Sequence, residues 1–373
     1  MRTRISNVRV FDGERRTDRT TVLIDDDRII ATDNAPADVE IDGTDRTLLP
    51  GLIDAHTHIF DGDLADALTY GVTTELDMFC LPAVLSAQRT AAKLRDDVAD
   101  FRSAGTLANA PGGHPSQLLA SPEIAALGLA PFDTISGPEQ AAEFVQARLA
   151  EGADYLKIVI DDGSVHSTSL PVLSAQTARA LTTHAHDAGL QVIAHAITEA
   201  EVTIALDAGV DGLAHVWTDF TAHTGDLVDR IAAQDVFVVS TLVYFEAVTG
   251  QREITADCAV PGSFADAMRV TRALHRAGVP LLAGTDANPY IPTHGASMHR
   301  ELLLLNEVGL SPLEVLTAAT SRTADRFGLT DRGRIAPGLR ADLLLVDGDP
   351  TIDITATSSI ADVWRRGVCQ VRR

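Results

Sequence analysis

The chain has 373 residues and a net charge of -22, from 52 acidic against 30 basic residues. It is long enough for a large core, and without a Lys/Arg cluster it is too acidic for a nucleic-acid groove or an anionic membrane surface. Hydrophobic residues at 45% and charged residues at 22% exclude a disordered or fibrous chain, and no apolar run reaches the ~18 to 20 residues of a membrane helix.

Residues 4–49 alternate short strand-like runs with turns at Asp12-Gly13 and Asp42-Gly43. From residue 51 the pattern changes. Continuous apolar runs near 52–57, 72–78, 104–109, 155–160, 191–195, 212–216, 236–241 and 280–285 predict eight strands covered on both faces, with helical stretches such as 83–100, 138–151, 174–188 and 263–277 between them. Gly71, Gly152, Gly189, Gly209 and Gly278 each close a helical pattern just before such a run, as a left-handed C-terminal cap does. Eight strands alternating with helices predict an α/β fold, a (β/α)8 TIM-type barrel over 51–332. A doubly wound sheet is disfavoured because no Gly-x-Gly-x-x-Gly follows a strand. Residues 333–373 return to short strands and turns, and with 1–50 are expected to form one small composite β-sandwich. Three scattered cysteines (Cys80, Cys258, Cys369) and a start without an apolar leader core read as a reduced, cytoplasmic protein.

Polar residues fall where these strands end, which in a barrel is one mouth. His56 and His58 share one side of an extended segment, so both imidazoles can reach one ion. Lys157 lies on the fourth strand, and His195, His215 and Asp286 end the fifth, sixth and eighth. A His in an apolar run is more often structural than ligating, and His184 and His186 repeat the spacing inside a predicted helix, where i and i+2 diverge. The ordered coincidence of strand ends sets the six apart, and their chemistry suits a borderline cation such as Zn²⁺. Of the 30 basic residues 28 are Arg, and Lys93 and Lys157 are the two Lys. An ion pair with Asp54 or Asp77 could have used Arg at position 157. Lysine alone can lose its proton on burial and react with CO₂ to give a carbamate, N6-carboxylysine, that bridges two cations.

This constellation, with Leu49-Pro-Gly-Leu-Ile-Asp-Ala-His-Thr-His58, Glu151-Gly-Ala-Asp-Tyr-Leu-Lys-Ile158, Ala208-Gly-Val-Asp-Gly-Leu-Ala-His215, Leu282-Ala-Gly-Thr-Asp286, Ser311–Thr320 and Gly333–Val346, resembles the amidohydrolase superfamily in its carboxylated-lysine, binuclear branch. Within it the chain looks most like the imidazolonepropionase-related and Xaa-Pro dipeptidase-like members. The resemblance implies that His56, His58 and Asp286 hold one of two divalent ions, that His195 and His215 hold the other, and that carboxylated Lys157 bridges them. A metal-bridging hydroxide would then attack a small-molecule carbonyl, with Asp286 as catalytic proton shuttle. His114, on a Gly/Pro loop after the third strand, and Tyr244, after the seventh, are candidates for substrate contact. After Lys157 the run Ile-Val-Ile-Asp161-Asp162-Gly departs from the small residues of the dipeptidases.

The expected reaction is therefore hydrolysis of an amide, cyclic amide or related C–N bond. A mononuclear zinc deaminase acting on a heterocycle is the first alternative, and it would not need Lys157. A lactone or ester hydrolase using the same metal pair is the second, and a non-catalytic scaffold is opposed by the full ligand set. The acidic rim (Asp161, Asp162, Asp219, Asp226, Glu246), with Arg89 and Arg252 as candidate counter-charges, disfavours strongly anionic substrates. No nucleic acid or membrane partner is expected, and a homo-oligomer is compatible with this reading.

Overall fold

The computed structural model describes residues 1–120, 131–166, 169–250 and 263–370; Arg252 and Cys258 lie outside them. The chain is α/β. Strands from both ends form one eight-stranded mixed sheet: β1 (Arg2–Phe11), β2 (Arg16–Asp25), β3 (Arg28–Ile30), β4 (Val39–Asp42), β5 (Arg46–Pro50), β14 (Leu343–Asp347), β15 (Ile360–Arg365) and β16 (Val368–Cys369). Their order is β16-β15-β14-β5-β1-β2-β3, with β4 paired to β1. β5 runs parallel to β1 and antiparallel to β14, so residues about three hundred positions apart in sequence share a ladder, as in Leu48 opposite Leu345. Ile5, Val10, Ile24, Leu48, Leu343, Leu345 and Trp364 pack into a core beneath this sheet.

The middle of the chain forms two parallel sheets. One holds β6 (Leu52–Thr57), β7 (Val72–Asp77) and β8 (Asp100–Ser103); the other holds β9 (Leu156–Val159), β10 (Val192–His195), β11 (Gly212–Leu213), β12 (Phe237–Val239) and β13 (Leu281–Leu282) in sequential order. Parallel bridges join the sheets at both edges, Thr57 with Ala287 and Ala108 with Ile158. At the first, Ala55 N donates to Ala283 O at 3.0 Å and His58 N to Ala287 O at 2.8 Å; at the second, Ala108 N donates to Lys157 O at 2.8 Å. Helices follow the strands, several started by local chemistry: Thr198 and Glu201 form a reciprocal capping box, as do Ser311 and Glu314.

Two expectations about elements need correcting. The third strand lies at Asp100–Ser103 and not over 104–109, and the helix expected over 83–100 is Pro82–Leu94. Gly105 adopts a left-handed φ of 62°, which turns the apolar run after it out of the ladder and leaves Ala108 as a bridge. Four of the five later parallel strands, β9 and β11 to β13, also stop before their apolar runs, which continue into the loops beyond the last paired residue. Among the described residues no helix is long and apolar enough to cross a membrane.

A buried ion cluster ties the terminal sheet to the parallel strands. The Asp100 carboxylate on β8 meets the guanidinium groups of Arg332, Arg340 (3.0 Å) and Arg365 (3.3 Å), while Asp342 meets Arg340 and Arg365. Burial works against the Asp100 charge, but the three arginines hold its carboxyl well below the usual range. Asp100→Asn keeps the shape and strips the charge, leaving buried cations under-compensated. It is expected to cost about 3 to 5 kcal/mol in urea unfolding; a loss below about 1 kcal/mol, the range of exposed ion pairs, would show that solvent reaches the cluster.

Candidate metal centre

The polar side chains singled out from the sequence meet at the carboxyl ends of the parallel strands. His56 is on β6 and His58 just beyond it; Lys157 is on β9; His195 ends β10; His215 follows β11; and Asp286 follows β13. Their meeting depends on the edge where β6 and the segment after β13 join. Asp286 N donates to His56 O at 2.7 Å, and Gly284 permits that approach, since a Cβ there would lie 2.4 Å from Val239 Cγ1 and 2.9 Å from His56 N. Asp286 itself has a left-handed φ of 57°, which turns its carboxylate back over β6. Asp54 supports the same edge by accepting from His56 N, Thr285 N and Thr285 Oγ1.

Two of the rings, His56 and His215, are aimed by their other nitrogen. His56 Nδ1 lies 2.9 Å from Ala214 O, an acceptor only, so Nδ1 carries the proton and Nε2 presents its lone pair, 3.2 Å from Asp286 Oδ1. His58 Nε2 is 3.1 Å from the same oxygen. His215 Nδ1 pairs with Thr241 Oγ1 at 3.0 Å, and its ring centre stands 4.5 Å from that of His56 and 4.7 Å from that of His195. Burial, with Lys157 nearby, pushes the His56 imidazole well below its usual range; burial, with His56 and His195, does the same to His215. Asp286 goes the other way: burial opposes its charge, yet His56 and His58 hold it down at about 2.

Neutral imidazoles, an ionised carboxylate and a His195 Nε2 that is buried without a hydrogen-bond partner are the donor set of a borderline divalent cation. Lys157 is 3% exposed, and its charge acts on His56, His215 and Asp286. Asp54 and Asp77, its alternative partners in the sequence reading, are engaged elsewhere: Asp54 as above, and Asp77 with Ile59 N at 3.0 Å and Ser103 Oγ. Among the described residues, three groups bring ligand atoms within 4.8 Å of one another: His56, His215 and Asp286; His114, Asp161 and His195; and Asp161, Asp162 and Glu201.

Both candidates for substrate contact border the centre. The His114 ring stacks on His195 at 5.2 Å, and the Tyr244 ring, in the helix Leu242–Gly250, stands 6.3 Å from that of His215. Arg89 is not beside the site, because it is bound to Gly152 O and Asp154 at 2.6 Å. His186 pairs with Asp211 at 2.8 Å, in keeping with a structural role. Asp161, expected at the acidic rim, is instead 1% exposed and faces His114 and His195. Thr241 went unnoticed, since a hydroxyl that orients a ring has no spacing of its own.

Comparisons with known proteins bear on the family and the fold. The profile of the Amidohydrolase family matches residues 47–370. The imidazolonepropionase of Salinispora tropica is 26% identical over 401 residues, covering 99% of this chain and 97% of that protein. The imidazolonepropionase of Deinococcus deserti is 38% identical over 99 residues, but that alignment spans only 26% of this chain and 25% of that protein. Among solved structures, a Xaa-Pro dipeptidase with bound methionine superposes with a TM-score of 0.85 at 22% identity over 99% of this chain and 100% of the other, and Aspergillus niger ochratoxinase with 0.79 at 19% identity over 99% and 95%. At these identities the structures speak to the fold.

One buried network beside the centre has no counterpart in the sequence reading. His294, 5% exposed, places Nδ1 2.9 Å from Glu75 on β7 and Nε2 3.2 Å from Asp63 at the start of the helix Asp63–Thr69. It thus pins the loop after Asp286 to the segment after His58. Burial disfavours its charge, yet Glu75 and Asp63 push it up to about 11. A raised folded pKa stabilises fully below the unfolded value of about 6.5 and is lost as pH rises towards the folded value. The stability gap between wild type and His294→Gln in urea should therefore narrow from about pH 6.5 to about pH 9.5; a constant gap would mean that the folded ring is neutral.

Proposed function

Since the chain belongs to the amidohydrolase family and is thereby an enzyme of the hydrolase class, we propose that it hydrolyses the carbonyl C–N bond of an amide or cyclic amide in a small molecule. The reading includes two finer assignments. Residues 51–332 form one (β/α)8 barrel, supported by the bridges at both sheet edges. Residues 1–50 and 333–373 form the composite sandwich beside it, supported by their shared strand order. The observation that carries the functional reading is the convergence of His56 Nε2 and His58 Nε2 on one oxygen of an ionised Asp286.

His56, His58 and Asp286 would hold one divalent ion and His195 and His215 a second, with Lys157 as N6-carboxylysine between them. Zn²⁺ suits these donors, and such ions supply Lewis-acid activation of water and of the carbonyl. The chain's own residues do the rest. Ala214 O fixes the tautomer of His56, so that its Nε2 stays free of a proton, and Thr241 Oγ1 holds the orientation of the His215 ring. Asp286, kept ionised, accepts a proton at its carboxylate from the attacking water and returns it to the leaving nitrogen. Tyr244, 7% exposed beside His215, offers a hydroxyl to the substrate.

Three outcomes follow. Metal analysis of active enzyme should give two divalent ions per chain; one ion in fully active enzyme would favour a mononuclear deaminase. Asp286→Asn retains an oxygen ligand without the proton acceptor and should lower turnover by on the order of 10²-fold or more, measured on a panel of N-acyl amino acids, dipeptides and cyclic imides; a few-fold loss would reassign the proton shuttle. Lys157→Arg keeps a cation but cannot form a carbamate, so it should lose the metal pair and activity. Wild-type metal content in that variant would make Lys157 a structural cation.

A further inference from the structure

Asp161 is the residue by which this chain departs from the dipeptidase-like pattern, and its surroundings are those of a ligand. Its Oδ2 stands 3.7 Å from His195 Nε2 and 3.7 Å from His114 Nδ1. These separations are too long for hydrogen bonds, which close at about 2.7 to 3.2 Å. They approach the ~3.3 Å edge of a tetrahedron of donors each about 2.0 to 2.1 Å from one ion. The other carboxylate oxygen, Oδ1, accepts from Gly163 N at 2.8 Å, which fixes the plane of the group and leaves Oδ2 on the imidazole side. His195 Nε2, buried and without a hydrogen-bond partner, is aimed at the same space.

We propose that Asp161, with His195 and His114, holds the second divalent ion through a protein carboxylate. This inference rests on the two-ion reading and deepens it by naming two ligands that the reading lacks. His114 then acts as a ligand and not as a substrate contact. Its Nδ1 lies 3.1 Å from the side-chain amide of half-buried Gln117, a hydrogen bond that an ion at Nδ1 would replace. His195 stands with His114 and Asp161, while His215, its ring 4.5 Å from that of His56 and 4.7 Å from that of His195, lies between the two groups. The first ion sits against the edge between β6 and the segment after β13, and the second against the loops after β8 and β9.

The test is calorimetric titration of metal-free protein with Zn²⁺, for wild type, Asp161→Asn, His114→Asn and Asp187→Asn, with thermal unfolding of each metal-free variant as a check of folding. Asp161→Asn keeps the Oδ1 acceptor for Gly163 N, and Asp187, exposed at the end of the helix Ala175–Asp187 and outside the three ligand groups, controls for a general charge effect. The expected result is two ions in wild type and in Asp187→Asn. Asp161→Asn and His114→Asn should retain the first ion and bind the second at least about 100-fold more weakly, since even outer partners of ligands cost 10- to 100-fold. Two ions of unchanged affinity in Asp161→Asn would overturn the proposal and leave the two-ion reading standing. One ion or none in wild type would overturn that reading and the proposal with it.

Discussion

The architecture turns on one junction, where the first parallel strand meets the segment that follows the last. Hydrogen bonds across it join Ala55, His56 and His58 to Ala283, Asp286 and Ala287, and Gly284 is bare because any side chain would strike Val239 and His56. The consequence is electrostatic as much as topological. A carboxylate from beyond the last parallel strand is set between two imidazoles from the first, and burial keeps the His56 ring from charging. If the junction opened by even a water's width, Asp286 would lose its contacts with His56 and His58.

Much of this was legible in local sequence. His-x-His at a strand end requires only period-two geometry, His195, His215 and Asp286 each fall at the end of an apolar run, and Lys157 is a lone lysine inside one. The family-level motifs span nearly the whole chain, in agreement with a profile match over residues 47–370. The third strand was misplaced because Ala104 to Asn109 is apolar and short, like a strand, while the signal that breaks it is the backbone of Gly105. Apolar content reports burial, and burial is shared by strand and buried loop alike.

What sequence could not show is whatever depends on residues far apart in the chain. Glu75 and His294 are 219 positions apart, and Asp100 and Arg340 are 240 apart; neither pair has a spacing to read. Asp161 is instructive in another way. As one of 52 acidic residues it reads as surface charge, and only the fold shows that it points inward while its neighbour Asp162 points out. A strongly acidic chain hides its functional carboxylates among solvating ones.

The pairing of β5 with β14 carries a consequence for biosynthesis. β1 to β5 can pair among themselves as soon as they leave the ribosome, but the free edge of β5, Arg46–Pro50, is completed only by Leu343–Asp347, close to three hundred residues later. At ~5 to 20 residues per second that edge stays open for tens of seconds, long enough to invite pairing with a neighbouring nascent chain. Leu48 and Leu49 lie on it. The arginines that clamp Asp100 all come from the same late segment, so the attachment of the terminal sheet to the parallel strands waits for that segment too.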